Sequence, residues 1–372
     1  MPSGAFQVAK MSPCSFHPRA GLALLAAALL GACHRGPSEP ARPGVFQPGD
    51  AHALPGNGPG RDEDPAVLRA RDGRIYVAWY SDKGGNPDLY LTSTADGRTW
   101  TSAIQLTTHP EQDFYPSLVQ DERGVFHLVW FRWSSANRGH IWYNSSPDGS
   151  TWTPAAETQV TTTPDVEDWV PSLVEPPDGS LLVYFVSALR SGTGGTADLY
   201  RARRAPGESQ WQVVPVAALN SSTKEDHLPV AARTPSGVSL VWVRYPHGPV
   251  VPWLSPRSDL FLATSADGLA WSAPRQVTSD ADNVVHLYPD LVADAADSLS
   301  VVWLSTRQGS PRVFELPLAD VSRYPTGVTP LGQLPAGYSH RLVETTTSGV
   351  YLAVWVQGPD GTQDIYYRLI RR

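Results

Sequence analysis

The sequence predicts an all-β chain built as a propeller of six repeated units, each of four antiparallel strands. Three observations carry that prediction. The composition is rich in turn formers and rings: of 372 residues, 35 are Pro, 31 Gly, 13 Trp and 14 Tyr, while charged residues make up only 17%. Proline and glycine interrupt helices, and aromatic residues favour strands. A short apolar string led by proline recurs five times, with histidine in its place in a sixth copy, at intervals of 51 to 60 residues. That is the spacing of propeller blades. Within most segments apolar and polar residues alternate, the period of a half-buried strand.

The N-terminus precedes the repeats and reads as a targeting segment. Residues 1–19 contain Lys10 and Arg19 and no acid, and an apolar run of 13 residues, 20–32, follows. This is too short to span a bilayer, which needs about 20 residues, and has the shape of a signal-peptide core. Its end, Leu30-Gly31-Ala32-Cys33, resembles the bacterial lipobox, which implies that Cys33 is lipidated as the first mature residue. Residues 1–32 are then the signal peptide, with Met1 or Met11 as start, and 33–44 a Pro/Gly-rich tether. His34, where an aspartate would resemble an inner-membrane retention signal, favours sorting to the outer membrane. The expected location is the cell envelope of a bacterium, lipid-anchored. With Cys14 removed and Cys33 lipidated, the mature domain, 45–372, has no cysteine for a disulfide or a metal.

The strands follow in order. The first strands start at Pro65, Pro116, Pro171, Pro229, Pro289 and His340. The second strands carry a large ring 13–15 residues later: Trp79, Trp130, Tyr184, Trp242, Trp303 and Trp355. The third start near Asp88, His140, Asp198, Asp259, Arg312 and Asp364, and fourth strands are expected near Trp100, Trp152, Trp211 and Trp271. The sixth copy ends without a fourth strand. Residues 44–54 can supply it, and that closure removes two exposed strand edges.

Three strings between third and fourth strands, STADGRTW (93–100), SSPDGSTW (145–152) and TSADGLAW (264–271), resemble the Asp-box of the sialidase superfamily. Asp96, Asp148 and Asp267 stand one place later than the family's aspartate, directly before glycine, where Asp-Gly itself makes a tight turn. The resemblance implies a six-bladed sialidase-like propeller in which these hairpins are structural and lie away from the active site.

It also implies a site. The superfamily's sialidases are retaining glycosidases with a tyrosine nucleophile, a glutamate partner, an acid/base aspartate and three arginines for the substrate carboxylate. The matching positions are Tyr338 as nucleophile, Glu225 as its partner, Asp82 as acid/base with Asp88 as the fallback, and Arg244 and Arg312 as ligand arginines with Arg307 as the alternative to Arg312. The first arginine is replaced by Glu63 in Glu63-Asp64-Pro65, and an acid there repels a carboxylate. Tyr338, Arg244, Arg312 and Glu225 each also read as ordinary rim or loop residues.

The repeat contains a second constellation. Three residues before the proline stand Asp62, Asp113, Asp168, Asp226 and His286, with Gly337 in copy six. Such a ring could hold a hard cation. The better reading is side chains bonding backbone N–H groups at the turn, which explains the repetition without a ligand. One place on, Phe114, Trp169, His227 and Tyr338 suit sugar stacking or any binding mouth.

The formal charge of −7 gives no basic footprint for nucleic acid. No P-loop, dinucleotide fingerprint, HExxH or GxSxG string is present, so no cofactor or metal is expected. The sequence thus points to a lipid-anchored propeller that binds a glycan or other extracellular ligand at its mouth without true sialidase activity. The alternative is an exo-acting glycosidase of exo-α-sialidase type or a related specificity.

Overall fold

The computed structural model describes residues 50–134, 138–188, 197–245, 257–280, 283–294, 296–332, 334–335 and 337–372. Cys33, the signal segment and the tether lie outside the described residues.

The chain is an all-β propeller. Its first strands are Asp62–Arg69, Gln112–Gln120, Glu167–Val174, Glu225–Thr234, His286–Ala293 and Tyr338–Glu344. Each packs against the next, and the last against the first, so they line a closed ring. Second strands follow outward at Ile75–Ser81, Phe126–Ser134, Leu181–Ala188, Gly237–Tyr245, Leu299–Gln308 and Val350–Gln357. Their six large rings, from Trp79 to Trp355, are fully buried. The core clusters straddle neighbouring copies, so each ring fastens one copy to the next. Truncating one costs about 3–5 kcal/mol.

The strands form four sheets of four strands and one of eight, rather than six separate sheets. The third strand of copy two, Arg138–Ser146, has nine residues where its counterparts have seven or eight. Its extra length reaches the neighbouring first strand, and Glu167 meets Gly139 there in a parallel bridge. At the N-terminus His52 pairs with Tyr367 and Ala53 with Tyr366, on the outer side of the last strand, Asp364–Arg371.

Three hairpins share one bonding pattern. Oδ1 of Asp96, Asp148 and Asp267 accepts the backbone N–H groups two and three residues on, at 2.7–3.0 Å. These bonds hold the Asp96 carboxyl down at about 2. The hydroxyls of Thr94, Ser146 and Ser265 accept the glycine N–H at 2.8–3.0 Å. A Cβ on Gly268 would lie 2.3 Å from Leu182 of the preceding copy, and only glycine takes the left-handed turn there without cost. The tryptophans expected to open the fourth strands stand one to six residues before them. Trp100, Trp211 and Trp271 instead turn edge-on to Tyr367, Tyr143 and Tyr184 of the preceding copy, at 4.9–5.6 Å.

Candidate functional site

Every first strand breaks register at one place. In each copy three residues of the first strand span two of the second, as between Glu63 and Ala66 or between Trp169 and Ser172. The residue before the proline, or before His340, has a left-handed backbone: Asp64, Tyr115, Val170, Leu228, Tyr288 and Ser339, with φ between 50° and 56°. Such φ is uncommon outside glycine and a true outlier for valine. A residue before proline is ordinarily pushed to extended conformations. Strain of this kind, of order 1–3 kcal/mol each, persists only where the surroundings impose it. Six bulges at equivalent places make a collar at one end of the ring, where they re-aim the side chains beside them.

Alternation sorts the collar residues. Asp62, Asp113, Asp168, Asp226 and His286 face into their own copies and are buried. Asp62, Asp113 and Asp226 accept the indole N–H of Trp79, Trp130 and Trp242 at 2.7–2.9 Å. His286 Nδ1 accepts that of Trp303 at 3.1 Å. Tyr184 replaces the tryptophan in copy three, and Asp168 takes the hydroxyl of Ser187 at 2.5 Å. In copy six a Cβ on Gly337 would lie 2.5 Å from Trp355, so the acid has no room. The expected backbone role holds in part: Asp62 accepts from Gly58 N–H at 2.9 Å and Asp226 from Ser221 N–H at 3.3 Å. The main partner is the indole. Among the described residues no group of three or more His, Cys, Asp or Glu is arranged to hold a metal ion.

Of the arginines and the acid expected at the ligand, Arg244, Arg307 and Asp82 have partners within the protein, and Arg312 is exposed. Arg244 donates to Asp226 at 2.7 and 3.0 Å and to the Leu219 carbonyl at 2.5 Å. Arg132 is held likewise by Asp113 and by Glu157 at 2.9 Å. Arg307 faces Asp280 at 3.6 Å and lies over the Tyr324 ring. Arg312 is exposed on the third strand of copy five, opposite Ser305. Asp82 accepts from Arg61 N–H and Nε at 2.7 and 3.0 Å and so fastens the loop before the first strand. Asp88 accepts from Gln105 at 3.0 Å, and burial, reinforced by Asp113, pushes its carboxyl up to about 6. Asp198 is pushed up to about 6 in the same way, beside Asp226.

One residue further on, alternation turns the side chains to the other face, towards the mouth: Phe114, Trp169, His227 and Tyr338 are half-buried there, and Glu63 and Leu287 are buried. The Tyr338 hydroxyl donates to Glu63 Oε1 at 2.8 Å, and the Tyr80 hydroxyl donates to Oε2 at 2.6 Å. Glu63 is 3% exposed. The expected Tyr338–Glu225 pair is therefore a Tyr338–Glu63 pair, and the acid that broke the family pattern is the tyrosine's partner. Glu225, also buried, takes His227 Nε2 at 3.2 Å. His227 stands edge-on to Tyr245 at 5.4 Å and 6.2 Å from Trp169. Phe114 is edge-on to Tyr80 at 4.9 Å, and Tyr288 lies 5.7 Å from Tyr338. The mouth thus has a phenol–carboxylate arc on copies five, six and one and an aromatic arc on copies two to four. Sequence reasoning missed Tyr80 and Tyr288. Their signal was positional, since Tyr80 adjoins the marker Trp79 and Tyr288 precedes Pro289.

A shallow cavity of about 410 Å³ lies at the far end of copy four, lined by Thr234, Ser239, Thr264 and Trp271 among others. Thr234 ends the strand that Glu225 begins, so this cavity is remote from the collar.

No family model matches the chain, and no curated protein matches it. Solved structures do. A protein of unknown function from Dyadobacter fermentans superposes with a TM-score of 0.67 at 14% identity, covering 87% of this chain and 98% of that one. The GH93 α-L-arabinofuranosidase of Fusarium graminearum, in complex with arabinobiose, gives 0.66 at 14% identity, with 87% and 98% covered. A Hadza microbial sialidase gives 0.56 at 11% identity, covering 83% of this chain and 65% of that one. At these identities the likeness is one of fold.

Proposed function

We propose that the collar is a glycan-binding mouth for a neutral sugar, on a six-bladed propeller whose eight-stranded sheet counts as two blades and whose last blade is completed by the N-terminal strand. The observation that carries this reading is the Tyr338–Glu63–Tyr80 arrangement. A buried carboxylate held by two phenols, with Trp169 and His227 on the other arc of the mouth, offers hydrogen bonds to hydroxyls and ring faces to C–H groups. It repels a carboxylate sugar, and Arg132 and Arg244 are already held by buried acids. The arabinobiose complex of the structural neighbour supports the sugar class. Glycan-array screening followed by calorimetry tests the reading. Neutral sugars should bind, and Tyr338→Phe or Glu63→Gln should weaken binding about tenfold or more, the worth of one hydrogen bond to a charged group. Binding of sialosides in preference to neutral sugars would refute it.

A second reading, an exo-acting glycosidase, is favoured by one observation. Glu63 and Glu225 are both buried carboxylates, on the first and fourth strands of the ring, and two carboxylates are the usual equipment of glycoside hydrolysis. Turnover of a neutral aryl glycoside, lost in both Glu63→Gln and Glu225→Gln, would promote this reading over binding alone. The same proposal places the propeller on a lipid anchor at Cys33 in a bacterial envelope. Cys33→Ala should move the protein from membrane to soluble fractions, and unchanged fractionation would remove the anchor.

A further inference from the structure

The aromatic arc extends beyond the collar, over the seam between copies two and three. Phe131 is buried there, with Tyr115 and Phe114 each 6.2 Å away and Trp133 at 5.9 Å. Tyr115 and Trp133 are only half-buried. The reason lies in Gly139: a Cβ at that position would come within 2.0 Å of Phe131 Cε2. Without that Cβ, Phe131 lies back against the third strand as a floor, and Tyr115 and Trp133, each half-buried, pack on the core it belongs to. The left-handed φ of 52° at Tyr115 belongs to the same bulge that aims Phe114 at the mouth. The seam is stiffened where the two copies join, through Glu167 opposite Gly139.

Two half-buried polar side chains flank these rings. Gln112 lies opposite Trp133 in the register, and Glu167 opposite Gly139. Rings edged by hydrogen-bonding groups fit a sugar, whose C–H face stacks while its hydroxyls reach the rim. The rings adjoin the mouth: Phe114 and Tyr115, both half-buried, are consecutive in the first strand of copy two and both meet Phe131.

We infer that Tyr115 and Trp133, on their Phe131 floor with Gln112 and Glu167 beside them, form a second sugar subsite, so that the ligand is an oligosaccharide of two or more units running from the Glu63 arc over copies two and three. This rests on the reading of the collar as a glycan-binding mouth. The competing account is that these rings only cap the seam's core.

The test is calorimetric titration of the full chain with neutral gluco-, galacto- and arabino-configured sugars of one, two and three units. In the wild type the affinity should rise about tenfold or more from one unit to two in the series that binds. In Trp133→Ala and Tyr115→Ala the ratio of two-unit to one-unit affinity should collapse towards one. Trp133→Phe, which keeps a ring, should retain most of the ratio and controls for folding, as does an unchanged thermal melt. Equal affinity for one and two units in the wild type would overturn the inference while leaving the mouth intact. So would a loss in Trp133→Ala that preserves the ratio. Failure of every series to bind would overturn the mouth and the subsite together.

Discussion

Two rings of residues lie side by side in this propeller, one position apart in the same strands, and they have opposite fates. The ring three places before the proline, Asp62, Asp113, Asp168, Asp226 and His286, is buried and bonded within its own copies. The ring two places before it is mostly half-exposed and makes contacts from copy to copy, as between Tyr338 and Glu63 or between Trp169 and His227. Successive side chains on a strand point to opposite faces. An acid on one face meets an indole, and its neighbour meets the mouth. Repetition of an acid around a ring is therefore no sign of a ligand site by itself. The more variable ring is the better candidate, because it is free of the duty of holding the blade together.

Substitutions should separate the two rings. The largest effect is expected from Asp113→Ala. It removes the acceptor for Trp130 and leaves buried Arg132, 1% exposed, short of its principal counter-charge. Breaking such a pair costs about 3–5 kcal/mol, readable in urea denaturation. A loss below about 1 kcal/mol, the scale of an exposed pair, would mean that the acid ring is not structural. Gly337→Ala comes next. The new Cβ would crowd both Trp355 and the Val356 carbonyl at 2.5 Å, an overpacking cost of about 1–3 kcal/mol. An unchanged melting temperature would show that copy six has slack the geometry does not suggest. The smallest effect on folding is expected from Tyr338→Phe in the mouth ring. It removes one of the two phenol bonds to Glu63, about 1.5 kcal/mol, while its effect on sugar binding should exceed its effect on stability. If the melt suffers as much as in Asp113→Ala, the two rings do not differ in kind.

The fold was legible because it repeats. The five proline strings and the His340 string fall inside the six first strands, which begin two to four residues earlier, and the large rings locate the second strands. The hairpin strings placed their turns, whose bonds are local and made within a few residues. The fourth strands were placed early because Trp100, Trp211 and Trp271 answer to a neighbouring copy rather than to their own strand. The merger of copies two and three was not read from the sequence; it goes with the length of one strand, Arg138–Ser146.

The candidate site was legible as a set of positions but not as a set of partners. Tyr338 was singled out by its string, and the repeat singled out Phe114, Trp169 and His227 one place beyond the acid ring, since both depend on spacing within one strand. Their chemistry was decided by ring closure. Glu63 and Tyr338 are 275 residues apart and meet only because the last first strand packs against the first. Asp226 and Arg244, opposite each other in adjacent strands, form an ion pair that no linear pattern announces. A linear pattern records which face a side chain occupies, because that follows from the period of the strand. Which charge or hydroxyl stands opposite depends on how the strands pair and how the ring closes, and that is a property of the assembled propeller.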